Sequence, residues 1–153
     1  MNGIGEVPVT QDERTMGTLA HVLQIVGGWL APLIIFFVKR DSKFVSFHAL
    51  QALFFQLIYM VIWGGMVVIF MFTIIASVAT NGGAHSNQPP TVLFVFFPLI
   101  WLAGIGGWVT IIVIAIVYGI KAGRGEWAKY PVIGNWVVRI LKLEVNPAAP
   151  SGM

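Results

Sequence analysis

From residue 44 to residue 120 the chain carries no Asp, Glu, Lys or Arg, and a stretch of that length and apolarity belongs in a lipid bilayer. The hydrocarbon core is roughly 30 Å thick and takes about 20 apolar residues per helical crossing, so the stretch holds two crossings. A third apolar run, over residues 19–38, precedes it. The pattern predicts an all-α integral membrane bundle with three transmembrane helices.

Composition agrees. Hydrophobic residues make up 58%, charged residues 10%, and the mean hydropathy is +0.86, far from the globular norm of about 45–50% apolar and 25% charged. The 153 residues leave no room for a separate soluble catalytic domain of about 100 residues or more. There is no cysteine, which excludes disulfides, thiolate metal sites and a cysteine nucleophile.

The expected organisation is a polar N-terminal tail (1–15) and one membrane domain (16–143), followed by a disordered C-terminal tail (144–153). Spans are predicted at about 19–38, 49–79 and 92–120. The polar N-terminus lacks the basic lead and small-residue cleavage site of a signal peptide. Lys39, Arg40 and Lys43 follow the first span and Lys121, Arg124, Lys129, Arg139 and Lys142 follow the third, against Arg14 alone before the first. The positive-inside rule then places the first connection and the C-terminus in the cytoplasm, with the N-terminus and the loop at residues 80–91 outside. The net charge of +3 is distributed as a topology signal rather than a nucleic-acid footprint. A bacterial cytoplasmic membrane is the expected location, since organelle-targeting signals are lacking.

Residues 131–143 are too short and too charged to cross. On a helical wheel Asn135, Arg139 and Lys142 cluster, with Val132, Trp136, Val137, Ile140, Leu141 and Leu143 filling the remainder. This reads as a short interfacial amphipathic helix with its basic face on anionic headgroups. Each span also carries a Gly-Gly pair near its middle: Gly27-Gly28, Gly64-Gly65 and Gly106-Gly107. Small residues let membrane helices approach closely, so these pairs are read as packing points. The alternative is a set of flexible points around a substrate path.

Among polar residues inside the spans, His48 and Gln51 lie three apart and share a helix face. With the topology above, His21 lies near the outer surface and His48 near the cytoplasmic one, so the three histidines, His85 included, cannot converge on a metal. No metal and no cofactor are expected. The sequence lacks paired aspartates, a Ser/His pair at usable spacing, an H-E-x-x-H motif and a phosphate loop, so no enzyme is expected.

The run Asp41-Ser42-Lys43-Phe44-Val45-Ser46-Phe47-His48-Ala49-Leu50-Gln51-Ala52, with Lys121-Ala122-Gly123-Arg124-Gly125-Glu126-Trp127 and Tyr130-Pro131-Val132-Ile133-Gly134, resembles a bacterial family of small membrane proteins of unknown function. That family is distantly similar to the Tic-twenty subunit of the chloroplast import complex. The resemblance spans about residues 14–143 and implies a compact helical membrane fold without an established activity. His48, Gln51, Arg124, Glu126, Tyr130 and Pro131 form the candidate interaction or structural motif on the cytoplasmic side. The expected function is a non-enzymatic scaffold or assembly factor, docking a membrane-protein partner or lipid and tied to protein translocation or insertion. The alternative is a small oligomeric pore or transporter for a neutral solute. Expected partners are anionic lipids and a homo-oligomer or membrane protein.

Overall fold

The computed structural model describes residues 8–80 and 91–143, and every regular element among them is helical. The helices are α1 (Gln11–Val22), α2 (Gln24–Gly27), α3 (Leu30–Val38), α4 (Lys43–Thr80), α5 (Thr91–Gly123) and α6 (Ile133–Ile140). Helix α1 thus begins inside the expected N-terminal tail, and α6 is shorter than the expected 131–143. The disordered tail expected at 144–153 lies outside the described residues, as does the connection between α4 and α5 at 81–90.

Helix α1 starts with a capping box. The Thr10 hydroxyl accepts from the Glu13 amide at 3.3 Å and the Glu13 carboxylate accepts from the Thr10 amide at 2.9 Å. Such a cap contributes about 1 kcal/mol, and Asp12 and Glu13 in the first turn complement the helix dipole. The apolar run at 19–38 then breaks. Gly28 has φ +55°, a left-handed conformation that only glycine adopts at little cost. Helix α3 restarts two residues later, with Pro32 in its first turn, where the missing amide would have no intrahelical partner.

The break turns the expected first crossing into a hairpin. A straight helix from Asp12 to Lys39 would separate them by about 40 Å. Instead the Lys39 ammonium donates to the Asp12 carboxylate at 2.7 Å, and the Ser42 hydroxyl donates to Glu13 at 2.7 Å. The start of α1 and the basic connection before α4 therefore lie at the same end. This geometry corrects the expectation that the start of α1 and the connection before α4 lie at opposite ends of one span, and residues 19–38 do not form a single continuous helix.

The chain divides into two units, residues 1–57 with 111–153, and residues 58–110. In the first, the opening of α4 is buried from Phe44 through Leu53. Phe47, Leu50, Tyr130, Ile133 and Val137 form one core cluster, while Ala20, Ile35, Phe44, Ala49 and Ala122 form another. Helices α1 and α5 approach closely: the Thr18 hydroxyl donates to the Gly119 carbonyl at 3.1 Å, and a methyl group on Gly123 would lie 3.1 Å from that hydroxyl.

The second unit is the continuation of α4 and the opening of α5, which contains Pro98. Tyr59 donates to the Gly104 carbonyl at 3.1 Å, the Trp63 indole lies over Gly104, and the Tyr59 ring lies against Gly107. The sequence-based assignment of packing glycines changes accordingly. Gly107 is a point of close approach, and Gly104, not singled out from the sequence, is another. Added methyl groups at Gly64, Gly65 and Gly106 would meet nothing within 4 Å, because those positions face away from the neighbouring helix. Gly27 touches only Ala31 one turn on, and Gly28 serves backbone conformation rather than packing.

Both long helices have the length and hydropathy of membrane spans, each with a mean hydropathy of 2.4 over its most apolar window. Val61 is 70% exposed and Phe94 69%. Burying one such side chain is worth about 1.5–3 kcal/mol, so this unit is stable only where lipid takes the place of water.

Candidate functional site

Helix α4 presents His48 and Gln51 on one face, and at the same spacing α1 presents His21 and the start of α2 presents Gln24. All four are at most 1% exposed. The segment after α5 passes between them. It leaves α5 through a turn in which Gly125 has φ +81°, its amide donates to the Ala122 carbonyl, and the Glu126 amide donates to the Lys121 carbonyl. This is a Schellman motif, which requires a left-handed residue where Gly125 stands.

Hydrogen bonding then fastens the segment to α4 at three backbone points. The His48 Nε2 meets the Glu126 carbonyl at 3.0 Å, the Gln51 amide donates to the Ala128 carbonyl at 3.2 Å, and the Gln51 carbonyl oxygen accepts from the Tyr130 amide at 2.5 Å. The Tyr130 hydroxyl closes the circuit on His21 Nδ1 at 3.0 Å, and His21 Nε2 lies 2.9 Å from His48 Nδ1.

Donor and acceptor roles along this chain follow from its end. A carbonyl only accepts, so His48 carries its hydrogen on Nε2. As a neutral ring it accepts at Nδ1, which makes His21 Nε2 a donor and His21 Nδ1 an acceptor for Tyr130. The chain runs one way, from Tyr130 through His21 and His48 to Glu126, with both imidazoles neutral and all four ring nitrogens engaged. No lone pair is left free for a metal ion. The expectation that His21 and His48 lie near opposite surfaces is overturned, because the α1–α3 hairpin folds His21 back onto α4.

Aromatic rings enclose the site. Phe44 and Phe47 set their edges against His48, Trp127 packs on both, and Tyr130 stacks on His21 at 5.6 Å. Burial pushes the Tyr130 phenol well above the ordinary tyrosine range; the nearby Gln24 amide opposes the rise and Tyr118 adds to it. Among the described residues, neither end of the Gln24 amide reaches hydrogen-bonding geometry with a partner, nor does the Trp127 indole N–H. At the entrance, burial works to raise the Glu13 carboxyl, but the Ser42 and Thr10 hydrogen bonds outweigh it and hold Glu13 below the usual carboxylate range. The Asp12 hydrogen bond raises Lys39.

Of the residues singled out in the sequence, His48, Gln51 and Tyr130 meet in one network. Glu126 joins through its backbone carbonyl, while its carboxylate lies 4.0 Å from the exposed Arg124 guanidinium. Pro131 is exposed and supplies the carbonyl for a tight turn, accepting from the Ile133 amide at 2.7 Å. Between them Val132 holds φ +65° and ψ −61°, a γ-turn geometry that is strained for a β-branched residue. His21 and Gln24 were not among the candidate motif residues. The signal for them is a repeated H-x-L-Q: His21-Val22-Leu23-Gln24 and His48-Ala49-Leu50-Gln51.

The fold and site define a small helical membrane protein whose two long apolar helices are joined to a hydrogen-bonded polar clasp. A family model matches residues 12–137, and the chain belongs to that family, MamF/MmsF, the magnetosome magnetite crystal formation protein family. No curated protein and no solved structure matches it. The family match corrects the resemblance to the Tic-twenty-like group, whose motifs are too short to separate two families of apolar helical proteins.

Proposed function

We propose that this chain is a non-enzymatic scaffold of the magnetosome membrane, holding a preformed surface against which magnetite-forming components or lipids assemble. The observation that carries this reading is the clasp. His48 and Gln51 are spent on fixing the backbone of residues 126–130, which holds that segment in one conformation and engages these polar side chains in structural hydrogen bonds. Helix α6 continues from that segment, burying Ile133, Gly134 and Val137 and exposing Trp136, Arg139 and Ile140. An exposed apolar stripe beside cations suits an anionic lipid interface or a membrane-protein partner.

In this reading α4 and α5 are the crossings. All nine Lys and Arg residues belong to the unit formed by residues 1–57 and 111–153. Arg14, the exception in the sequence count, lies beside Gly125. The positive-inside rule then assigns the clasp, the start of α1 and α6 to the cytoplasmic face.

The test is complementation of a magnetosome-forming strain that lacks the gene. His48→Ala with Gln51→Ala, membrane-inserted at normal abundance, is expected to leave vesicles present while altering magnetite crystal size in electron micrographs. Photo-crosslinking from residue 126 is expected to capture a specific protein or lipid that the double variant loses. Normal crystals and an unchanged crosslink pattern in the double variant would refute the proposal.

A further inference from the structure

The α1–α3 hairpin enters and leaves at one end, and this has consequences for the lipid around it. Helix α3, with nine residues, is about 14 Å long, close to half of a hydrocarbon core of roughly 30 Å. Its tip is uncharged, with Val26 91% exposed, and an outward apolar stripe continues through Leu30, Ile34, Phe37 and Val38. The opposite side of α3 buries Pro32 and Ile35 against the protein. At the mouth stand Arg40 and Lys43, exposed beside the Lys39–Asp12 ion pair and Glu13, at headgroup height for a hairpin of this depth. Such a stripe, above a mouth whose Arg40 and Lys43 are exposed, fits lipid and nothing aqueous.

The geometry points to a half-bilayer wedge: the hairpin inserts into a single leaflet, and the partner it fits is a convex, loosely packed, anionic lipid leaflet. Two helices of about 10 Å diameter add on the order of 150 Å² to the leaflet that holds them and nothing to the other. Area added to one leaflet is accommodated best where that leaflet is stretched, and for this reason shallow amphipathic insertions are curvature-sensitive. With the hairpin on the cytoplasmic side, the favoured surface is a membrane whose cytoplasmic leaflet is the outer one, as in a vesicle bulging into the cytoplasm.

The inference rests on α4 and α5 being the crossings, and two readouts separate that premise from the wedge. The full-length chain, labelled with a fluorophore, is placed in giant phosphatidylethanolamine/phosphatidylglycerol vesicles with its basic end outward, and membrane tubes are pulled from them. The native chain lacks cysteine, so Thr15→Cys and Arg124→Cys report sidedness with an impermeant maleimide. Both are expected to label from outside. Labelling of Thr15→Cys only from inside would make the hairpin a full crossing and overturn the proposal at its premise. Tube density relative to the vesicle is expected to rise by about twofold or more as the tube narrows, and to return toward one in Val26→Ser/Leu30→Ser, whose altered side chains are exposed and leave the core intact. Equal density of the wild type on tube and vesicle, with both cysteines labelled from outside, would overturn the wedge itself.

Discussion

Tyr130 is held from both ends, by its amide on Gln51 and by its hydroxyl on His21. Tyr130→Phe leaves a buried imidazole nitrogen unpaired, a loss of about 1–3 kcal/mol, to be read as a lower thermal midpoint in detergent. The phenol also sets an alkaline limit. Because its folded pKa is raised from the ordinary value of 10.0, its stabilisation is complete below pH 10 and is lost as pH climbs through the raised value. Of the three tyrosines, Tyr130 is expected to ionise only with unfolding in a phenolate absorbance titration, and Tyr130→Phe to flatten the fall in stability above pH 10. Val132 offers the opposite sign: Val132→Gly relieves a strained γ-turn that costs about 1–3 kcal/mol and is expected to raise the midpoint. The His48 and Gln51 pairing with the post-α5 segment was legible in the sequence because both motifs sit at adjacent ends of apolar runs. The participation of Glu126 through its carbonyl was not, since a backbone contact leaves no mark on residue type.

Among the helices, the contrast between Gly106 and Gly107 is sharp. Gly107→Ala drives a methyl group into the Tyr59 ring and is expected to destabilise by about 1–3 kcal/mol. Gly106→Ala meets open space and is expected to be neutral or to gain up to about 1 kcal/mol from helix propensity, both read from thermal midpoints in the same detergent. The α1–α3 hairpin escaped the sequence because hydropathy is blind to direction: residues 19–38 are as apolar folded back as they would be straight. Gly28 with Pro32 four residues on was the available warning of a break, and the repeated H-x-L-Q was the warning that two segments share a partner. The long helices α4 and α5 were legible because lipid exposure imposes one simple rule, apolar on every side, that residue type records directly.

For the molecule as a whole, the two units sit differently toward solvent. Trp101 and Trp108 are more than half exposed and line an apolar groove of about 420 Å³ with Trp63, Phe70 and Phe97, whereas Trp127 is packed between Phe44 and Phe47. In single-tryptophan variants, brominated lipid is expected to quench Trp101 and Trp108 strongly and Trp127 weakly; equal quenching would contradict this division. The clasp joins residues far apart in the chain, His21, His48 and Tyr130. Ribosomes deliver them in that order, so the first two polar faces wait without their last partner until everything through α5 has been synthesised. An unfinished chain therefore holds His48 and Gln51 without the Glu126 and Ala128 carbonyls that pair with them, and the circuit closes only when Tyr130 reaches His21.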